Sequence, residues 1–205
     1  PIPFAVQLLN DLVAKQVQHL AFGSGVTFVP NYFIRDNPAL ESVDMGNSQI
    51  ATIGCEAFCA DTGLTGTIVL PETLTTIGSS AFCNCTSLRR VEPFLPDSVI
   101  SLGYSAFQNC PVSGKFRVGY GDSLTLGYNG KSYNEGNQIR GTKVEDIDFG
   151  PALRTVPIGF VYEVKTLTNV TFADGIIDMS TDKICSGCSA LESAYLSKDL
   201  TNLGA

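Results

Sequence analysis

Apolar residues recur along this chain at a nearly constant interval, and the interval predicts the architecture. In segments 53–58, 77–82 and 102–107, an aliphatic residue is followed by Gly, two variable residues, Ala and Phe. The aliphatic position returns 24, 24, 25, 24, 30, 23 and 24 residues apart, at Val29, Ile53, Ile77, Leu102, Leu126, Val156, Met179 and Leu203. A period of this length is typical of a solenoid, in which each turn buries its apolar face against its neighbours.

A second set of apolar positions runs in phase with the first, seven or eight residues earlier in each repeat. Its members are Phe22, Met45, Leu70, Leu95, Val118, Phe149, Phe172 and Leu196. The alternation Val170-Thr171-Phe172 has the period of two of a half-buried strand, and turns rich in Pro, Gly, Asp and Ser follow such segments. We therefore predict about eight turns of stacked parallel strands, each turn comprising a strand, a turn, a short second strand and an Ala-Phe corner.

A finer signature, Ile-Gly-x-x-Ala-Phe-x-x-Cys-x-x-Leu, occupies residues 77–88, and Leu-Pro-x-x-Leu precedes it at 70–74. In these motifs the chain, from about Val17 onward, resembles the BspA-like leucine-rich repeat family. The match weakens after Cys110 and where Lys183-Ile184 replaces Ala-Phe. The resemblance implies a mainly β solenoid wound as a right-handed superhelix. It also implies a secreted or surface-attached protein that mediates adhesion or protein binding, with no catalytic residues to carry over.

The two ends of the chain depart from the regular repeat. We predict that residues 1–16 form either a short N-terminal cap helix or a degenerate repeat, and that residues 17–205 form the repeat array. Apolar residues at helical spacing support the helix, namely Phe4, Leu8, Leu9, Leu12 and Val13. Residues 196–205 match 70–79 and then stop in mid-repeat, so we expect the array to continue in a parent protein or a cap to be missing.

Phe and Cys residues at fixed repeat positions are predicted to form a core ladder. The corner phenylalanines are Phe58, Phe82 and Phe107, and the thiols are Cys85, Cys110 and Cys188. In leucine-rich repeats the slot of these thiols points inward, and Asn37 and Asp61 fill it elsewhere in this chain. A buried thiol packs as a small apolar group with a weak donor, so we assign these cysteines a structural role.

The other cysteines leave more than one interpretation open. Cys59 and Cys83 each follow a corner Phe in consecutive turns. If turns stack at the ~4.8 Å strand spacing, these residues come close to disulfide range. The alternatives are a Cys59–Cys83 bridge and two free thiols. Cys185-x-x-Cys188 lacks the second Cys or His pair that a structural zinc site needs, so no metal and no cofactor is predicted.

Composition narrows the function classes. The net charge is −7 and no basic stripe is present, which argues against nucleic-acid binding. No apolar run approaches the ~18 residues of a membrane helix, so no membrane insertion is expected. The only histidine, His19, has no nucleophile in a recognisable motif nearby, and the carboxylates of segment 145–148 alternate with apolar residues on a predicted strand. We therefore expect no enzymatic activity.

The longest interval, between Leu126 and Val156, contains extra length at 128–141 that we predict to be a longer loop in the fifth repeat. From 112 to 143 there are five basic and two acidic residues, opposite in sign to the rest of the chain. Insertions in repeat arrays often lie on a binding face, and Tyr and Arg are favoured contact residues. The candidate contacts are Tyr128, Lys131, Tyr133 and Arg140. A degenerate repeat with a longer surface loop is the competing interpretation.

The sequence thus predicts a non-enzymatic binding module for a protein or glycan, at a cell surface or in secreted form. One alternative is a structural spacer or stalk that projects another domain. A second is a cytoplasmic scaffold, which fits free thiols because disulfides are expected mainly outside the cytosol.

Overall fold

The protein, as a computed structural model, is a parallel β-solenoid of about seven turns, which confirms the predicted fold class. The structure describes residues 16–121, 124–126, 136–154, 156, 159–179 and 184–203. The predicted N-terminal helix falls within residues 1–16 and so lies almost wholly outside this described part. The described segments contain no α-helix, and accordingly none that is long and apolar enough to cross a membrane.

One register of strands contains the longer strands and runs the length of the array. Its members are β1 (His19–Ala21), β3 (Ser42–Asp44), β5 (Thr67–Val69), β7 (Arg90–Glu92), β9 (Ser113–Val118), β11 (Lys143–Phe149), β12 (Asn169–Phe172) and β13 (Ser193–Tyr195). They pair in parallel as β1-β3, β5-β7 and β9-β11-β12-β13. Alternate side chains are buried in β12, where Val170 and Phe172 point inward, because the inner face of the strand covers the core.

The second register is formed by two-residue strands. Its members are β2 (Phe28–Val29), β4 (Thr52–Ile53), β6 (Thr76–Ile77), β8 (Ser101–Leu102) and β10 (Thr125–Leu126). They form one parallel sheet with adjacent strands one repeat apart, Thr52 pairing with Thr76 and Ile53 with Ile77. An isolated parallel bridge between Asp178 and Asn202 extends the same register toward the end of the array.

Glycine follows the short strand because consecutive turns approach too closely for a side chain. A Cβ atom placed on Gly78 would lie 2.5 Å from the backbone nitrogen of Cys55, and one on Gly54 would lie 2.5 Å from the backbone nitrogen of Asn31. Neither backbone can move away without breaking the strand pairing next to it. The Gly of the Ile-Gly motif is therefore a packing requirement.

The corner after the short strand bends through residues with positive φ. In the central turns these are Glu56, Ala60, Ser80, Asn84, Ser105 and Asn109, with φ between 51° and 62°. A left-handed conformation costs an L-residue roughly 1–2 kcal/mol, so the corner must be held by other interactions. Backbone hydrogen bonds between consecutive turns hold it, running from the N–H groups of Glu56, Phe58 and Ala60 to the carbonyls of Ser79, Ala81 and Cys83 at 2.8–2.9 Å.

Phenylalanine rings form a continuous line of contacts inside the solenoid. Phe58, Phe82 and Phe107 are fully buried, and their rings stack nearly parallel with centroids 5.3 Å apart. Further along, Phe149 and Phe172 stack in the same way at 5.0 Å. Because each ring packs on the rings of neighbouring turns, every turn depends on the next for its buried surface.

Candidate functional site

The inward slot of each repeat lies directly behind the corner. The thiols donate hydrogen bonds to carbonyls of the preceding turn, from Cys85 to Phe58 at 2.9 Å, from Cys110 to Phe82 at 2.8 Å and from Cys188 to Val161 at 2.9 Å. Cys85 and Cys110 are fully buried. A hydrogen bond with the Cys110 thiol and burial hold the pKa of Cys85 well above its ordinary value. The geometry of this slot is that of a structural core.

Asp61 places a carboxyl group in the same slot. Its Oδ1 accepts a hydrogen bond from the Asn37 backbone N–H at 2.8 Å, and the Asn37 side-chain amide donates to the Val17 carbonyl at 2.9 Å. Asp61 Oδ2 is buried and has no hydrogen-bond partner among the described residues. Burial raises the pKa of Asp61 to about 7. This carboxyl is therefore a buried titrating group in the scaffold.

Cys59 and Cys83 lie side by side on consecutive turns as half-buried free thiols. Burial is the main cause that raises the pKa of Cys59, and it raises the pKa of Cys83 to about 12. Thiols with pKa values this high supply little thiolate at neutral pH, so neither is suited to nucleophilic chemistry. The bridge between them stays a prediction.

The remaining candidates for chemistry do not converge on one place. Burial raises the pKa of Cys185 to about 12, and among the described residues no three His, Cys, Asp or Glu side chains are grouped to bind a metal ion. His19 Nδ1 lies 2.9 Å from the Ser42 hydroxyl on the neighbouring strand. The contact between His19 and Ser42 is a surface contact between two neighbouring strands, β1 and β3.

The outward face of strands β9, β11 and β12 carries a balanced charge network. The Lys115 ammonium lies 3.5 Å from an Asp146 carboxylate oxygen and 3.3 Å from one of Asp148. The Asn169 amide donates to Asp146 Oδ1 at 3.1 Å, and the Ser193 hydroxyl donates to Asn169 Oδ1 at 2.6 Å. Lys115, Asp146 and Asp148 thus each have an opposite charge beside them.

The predicted binding loop is described only at its end. Tyr128, Lys131 and Tyr133 lie outside the described residues, whereas Arg140 is described. Its Nε and Nη2 atoms lie 2.9 and 2.6 Å from Glu163 Oε2. The guanidinium also lies 5.3 Å from the centroid of the Tyr162 ring. Arg140 is thus held against the next turn.

Arg140 forms part of the wall of a surface cleft of about 230 Å³ where three turns meet. The cleft is lined by Asn109, Arg140, Gly141, Thr142, Lys143, Glu163, Lys165 and Thr166. Lys143 and Lys165 lie on neighbouring turns, each two residues after a positive-φ corner residue, Gly141 and Glu163. Lys143 is the first residue of β11, and Lys165 lies in the turn before β12. Gly141 has a φ of +74°, and a Cβ there would lie 2.8 Å from Asn109 Oδ1, so this position in the cleft wall favours glycine.

The cleft carries more positive than negative charge. Arg140 is paired with Glu163, and its hydrogen bond holds the pKa of Glu163 below its ordinary value. Lys143 and Lys165 are exposed, and neither forms an ion pair with a described residue. Three cations therefore face one carboxylate. We call this surface, formed by Arg140, Lys143, Glu163 and Lys165, the cationic cleft.

The sequence predicts Arg140 as a contact residue but not the other charged residues that line the cleft. In the sequence Lys143 stands out only as part of a basic segment, and Lys165 and Glu163 belong to no motif. The repeat intervals around them are irregular, and the corners lack the Ala-Phe motif that aligns the central turns.

Comparison with known proteins agrees with this architecture. The model for the BspA type leucine rich repeat region matches residues 14–113 in six copies. The crystal structure of a T. pallidum leucine rich repeat protein has a TM-score of 0.61 and 19% identity, covering 91% of this chain and 73% of that chain. The pneumococcal vaccine antigen PcpA has a TM-score of 0.54 and 16% identity, covering 89% of this chain. This chain spans about half the PcpA chain, 51%. No curated protein sequence matches significantly.

The fold and the site define a leucine-rich repeat solenoid with a charged surface cleft and a structural core. Within that class, residues 14–113, just under half of the chain, are repeats of the BspA leucine-rich type. The two solved structures support the fold alone at these identities. The repeat family supports a protein-interaction module and is typically non-enzymatic.

Proposed function

We propose that the chain is a non-enzymatic recognition module of a cell-surface or secreted protein and that it mediates adhesion by binding a protein or glycan ligand. The observation that carries the proposal is the cationic cleft, whose two lysines are exposed and unpaired among the described residues. Rigid solenoids present such side chains in fixed positions, which favours recognition over catalysis.

The position of the cleft supports this function. It lies at the end of the 128–141 segment, so Tyr128, Lys131 and Tyr133 of that segment remain candidate contacts beside Arg140. Arg140 is held by Glu163 and by the Tyr162 ring, so little of its side-chain freedom remains to be lost when a ligand binds. A preorganised arginine at the edge of a cleft is a common contact in protein interfaces.

The neighbouring strand face gives the module a broader contact surface. Lys115, Asp146, Asp148 and Asn169 already form a connected network of ion pairs and hydrogen bonds on the outward side of β9, β11 and β12. Charged groups that are already paired contribute mainly to electrostatic complementarity with a ligand. Charged groups without partners gain more binding free energy from a ligand of opposite charge. We therefore assign the main contacts to the cleft and the loop.

The experiment that tests this function is a binding screen of the purified chain against host matrix proteins and glycans. A variant with Tyr128, Lys131, Tyr133 and Arg140 all changed to Ala is measured in parallel. A ligand that binds the parent chain and is lost in the folded variant supports recognition through this region. A folded parent chain that binds nothing in the panel contradicts the proposal and favours the structural spacer.

A further inference from the structure

We infer that the cationic cleft binds a carboxylate-rich segment of a protein ligand, with Lys143, Lys165 and Arg140 as the contact residues. This inference rests on the proposed recognition function and names the chemistry of the ligand. It goes beyond the predicted loop site because Lys165 and Glu163 belong to the next turn of the solenoid.

The charge balance of the cleft is the first argument. Lys143 and Lys165 line the cleft from consecutive turns, and their like charges repel each other. Elsewhere on the array a lysine has carboxylates next to it, as Lys115 has Asp146 and Asp148, and Lys198 has Asp174 at 2.6 Å. Among the described residues that line the cleft the only carboxylate is Glu163, which Arg140 engages and whose pKa Lys165 also lowers, so three cations share one carboxylate. The arrangement favours an anion supplied by a partner.

The spacing of the lysines is the second argument. Lys143 and Lys165 lie on consecutive turns, which stack at about the 4.8 Å spacing of their paired strands, and the long lysine side chains can spread beyond that distance. In an extended peptide, side chains on one face are separated by about 6.4–6.8 Å. Two acidic residues at positions i and i+2 can therefore each reach one ammonium group. The three guanidinium hydrogens of Arg140 that do not contact Glu163 remain for the peptide backbone or a third carboxylate.

The class of anion follows from what surrounds the cleft. Glu163 stays negatively charged in its wall, which disfavours the dense double charge of a phosphate more than a single carboxylate. A sulfated glycan needs a long basic track, whereas this chain has a net charge of −7 and Asp146 and Asp148 lie on the same strand as Lys143, β11. A short acidic peptide avoids that repulsion because it places its charges only within the cleft.

A peptide titration with matched variants tests this inference. The probes are a fluorescein-labelled peptide of alternating Glu and Ser, the same peptide with Gln in place of Glu, and a heparin oligosaccharide. Each is titrated into the full chain, into the double variant Lys143→Gln/Lys165→Gln, and into the control Lys198→Gln. Lys198 is a lysine on another part of the surface and forms an exposed ion pair with Asp174. Circular dichroism and thermal unfolding establish that each variant is folded.

We expect the Glu peptide to bind the parent chain, the Gln peptide to bind at least about tenfold more weakly, and the double variant to lose about tenfold or more in affinity. Lys198→Gln should stay within about twofold, and raising the salt from about 0.15 M to about 0.5 M should weaken binding. Equal losses in the double variant and in Lys198→Gln, or absence of Glu-peptide binding, overturn the inference. Tighter binding of heparin than of the Glu peptide overturns the ligand class.

The two proposals fail in different ways. If a panel protein binds the parent chain and is lost in the four-alanine variant while the Glu peptide does not bind, the recognition function stands and the acidic ligand is wrong. If nothing in the panel binds but the Glu peptide binds through Lys143 and Lys165, the cleft is an acidic-peptide site and the adhesion role is contradicted.

Discussion

The central turns, 52–112, and the later turns, 136–179, share one core and differ in their surfaces. In both regions phenylalanine rings stack nearly parallel, Phe58 on Phe82 at 5.3 Å and Phe149 on Phe172 at 5.0 Å. The first-register strands have three residues in the central turns, whereas β11 (Lys143–Phe149) has seven. The solenoid therefore constrains the inward positions closely and leaves the outward ones free to change.

The corners show the same contrast in chemical terms. The residue before the second positive-φ position is Cys59 or Cys83 in two central turns, and Arg140 in a later one. The thiols are half-buried and have raised pKa values, while Arg140 pairs with Glu163 and borders the cationic cleft. The same corner position is therefore filled by a half-buried thiol in the central turns and by a charged side chain in the later turn. The position tolerates both because it lies outside the core.

Truncation of the ring stack should have the largest effect and should be similar in both regions. Phe82→Ala and Phe149→Ala each remove a fully buried ring, so we expect each to lower the free energy of unfolding by about 3–5 kcal/mol. Chemical denaturation monitored by circular dichroism measures the change. Ser79→Ala, at a half-buried corner position, is the control and should cost less than about 1 kcal/mol. A small loss for Phe149→Ala alone would show that the two regions do not share one packing rule.

The second prediction concerns Asp61, the buried carboxyl in the inward slot. Its pKa is about 7 in the folded chain and about 3.9 in an unfolded chain. The folded state therefore binds this proton more tightly, and stability falls as the pH rises from about 4 to about 7. Asp61→Asn keeps an acceptor for the Asn37 N–H. We expect its free energy of unfolding to exceed that of the parent by roughly 1–3 kcal/mol at about pH 8.

Urea denaturation at several pH values measures this difference. The advantage of Asp61→Asn should shrink as the pH falls toward about 4, where the parent carboxyl is neutral. Cys85→Ala serves as the comparison, because Cys85 fills the same inward slot on the next turn. The loss of stability that it causes should change little with pH. An advantage of Asp61→Asn that does not depend on pH would contradict the account.

A smaller effect is expected from the corner thiols. With Cys59 and Cys83 as free thiols, Cys59→Ser should change the free energy of unfolding by less than about 1 kcal/mol. Loss of a Cys59–Cys83 disulfide would instead cost about 2–5 kcal/mol. Unfolding measured with and without a reductant separates the two cases, since only a bridge makes the parent chain sensitive to reduction.

The smallest expected effect is the difference in stability between two lysine substitutions, one at a lysine with ion-pair partners and one at a lysine that has none among the described residues. Lys115→Gln removes two ion-pair contacts on the strand face and should lower stability by about 0.2–1 kcal/mol. Lys143→Gln removes a like-charge neighbour of Lys165 and should leave stability unchanged or slightly higher. Thermal unfolding at low salt resolves the two, and high salt should reduce the difference. A larger loss for Lys143→Gln would mean that the cleft has a structural role.

The regular part of the fold was predictable because its repeats obey a local rule. The interval of the Ile-Gly-x-x-Ala-Phe motif placed Ile53 opposite Ile77, and the alternation at Val170 and Phe172 predicted a half-buried strand. The right-handed sense of the superhelix stays an implication of the family resemblance. Positive φ at Glu56 and Ser80 was not predictable, because these residue types do not favour that conformation and only the bonds between turns hold them in it.

The cleft was only partly predictable, for a different reason. Its residues come from three turns, and Lys143 and Lys165 are 22 residues apart in a chain whose regular interval is 24. Pairing between Arg140 and Glu163 depends on which side chains the irregular turns bring together, and the core pattern does not encode this. Basic composition between 112 and 143 is the one sequence signal that includes Arg140 and Lys143 of the cleft.

The most direct test measures folding and binding together in the variant Lys143→Gln/Lys165→Gln. The account predicts an unfolding curve equal to or slightly above that of the parent chain, together with a loss of about tenfold or more in affinity for the Glu peptide. Unchanged affinity in a folded double variant, or a loss of binding that accompanies a loss of fold, would contradict the claim that the later turns carry a recognition site separate from the core.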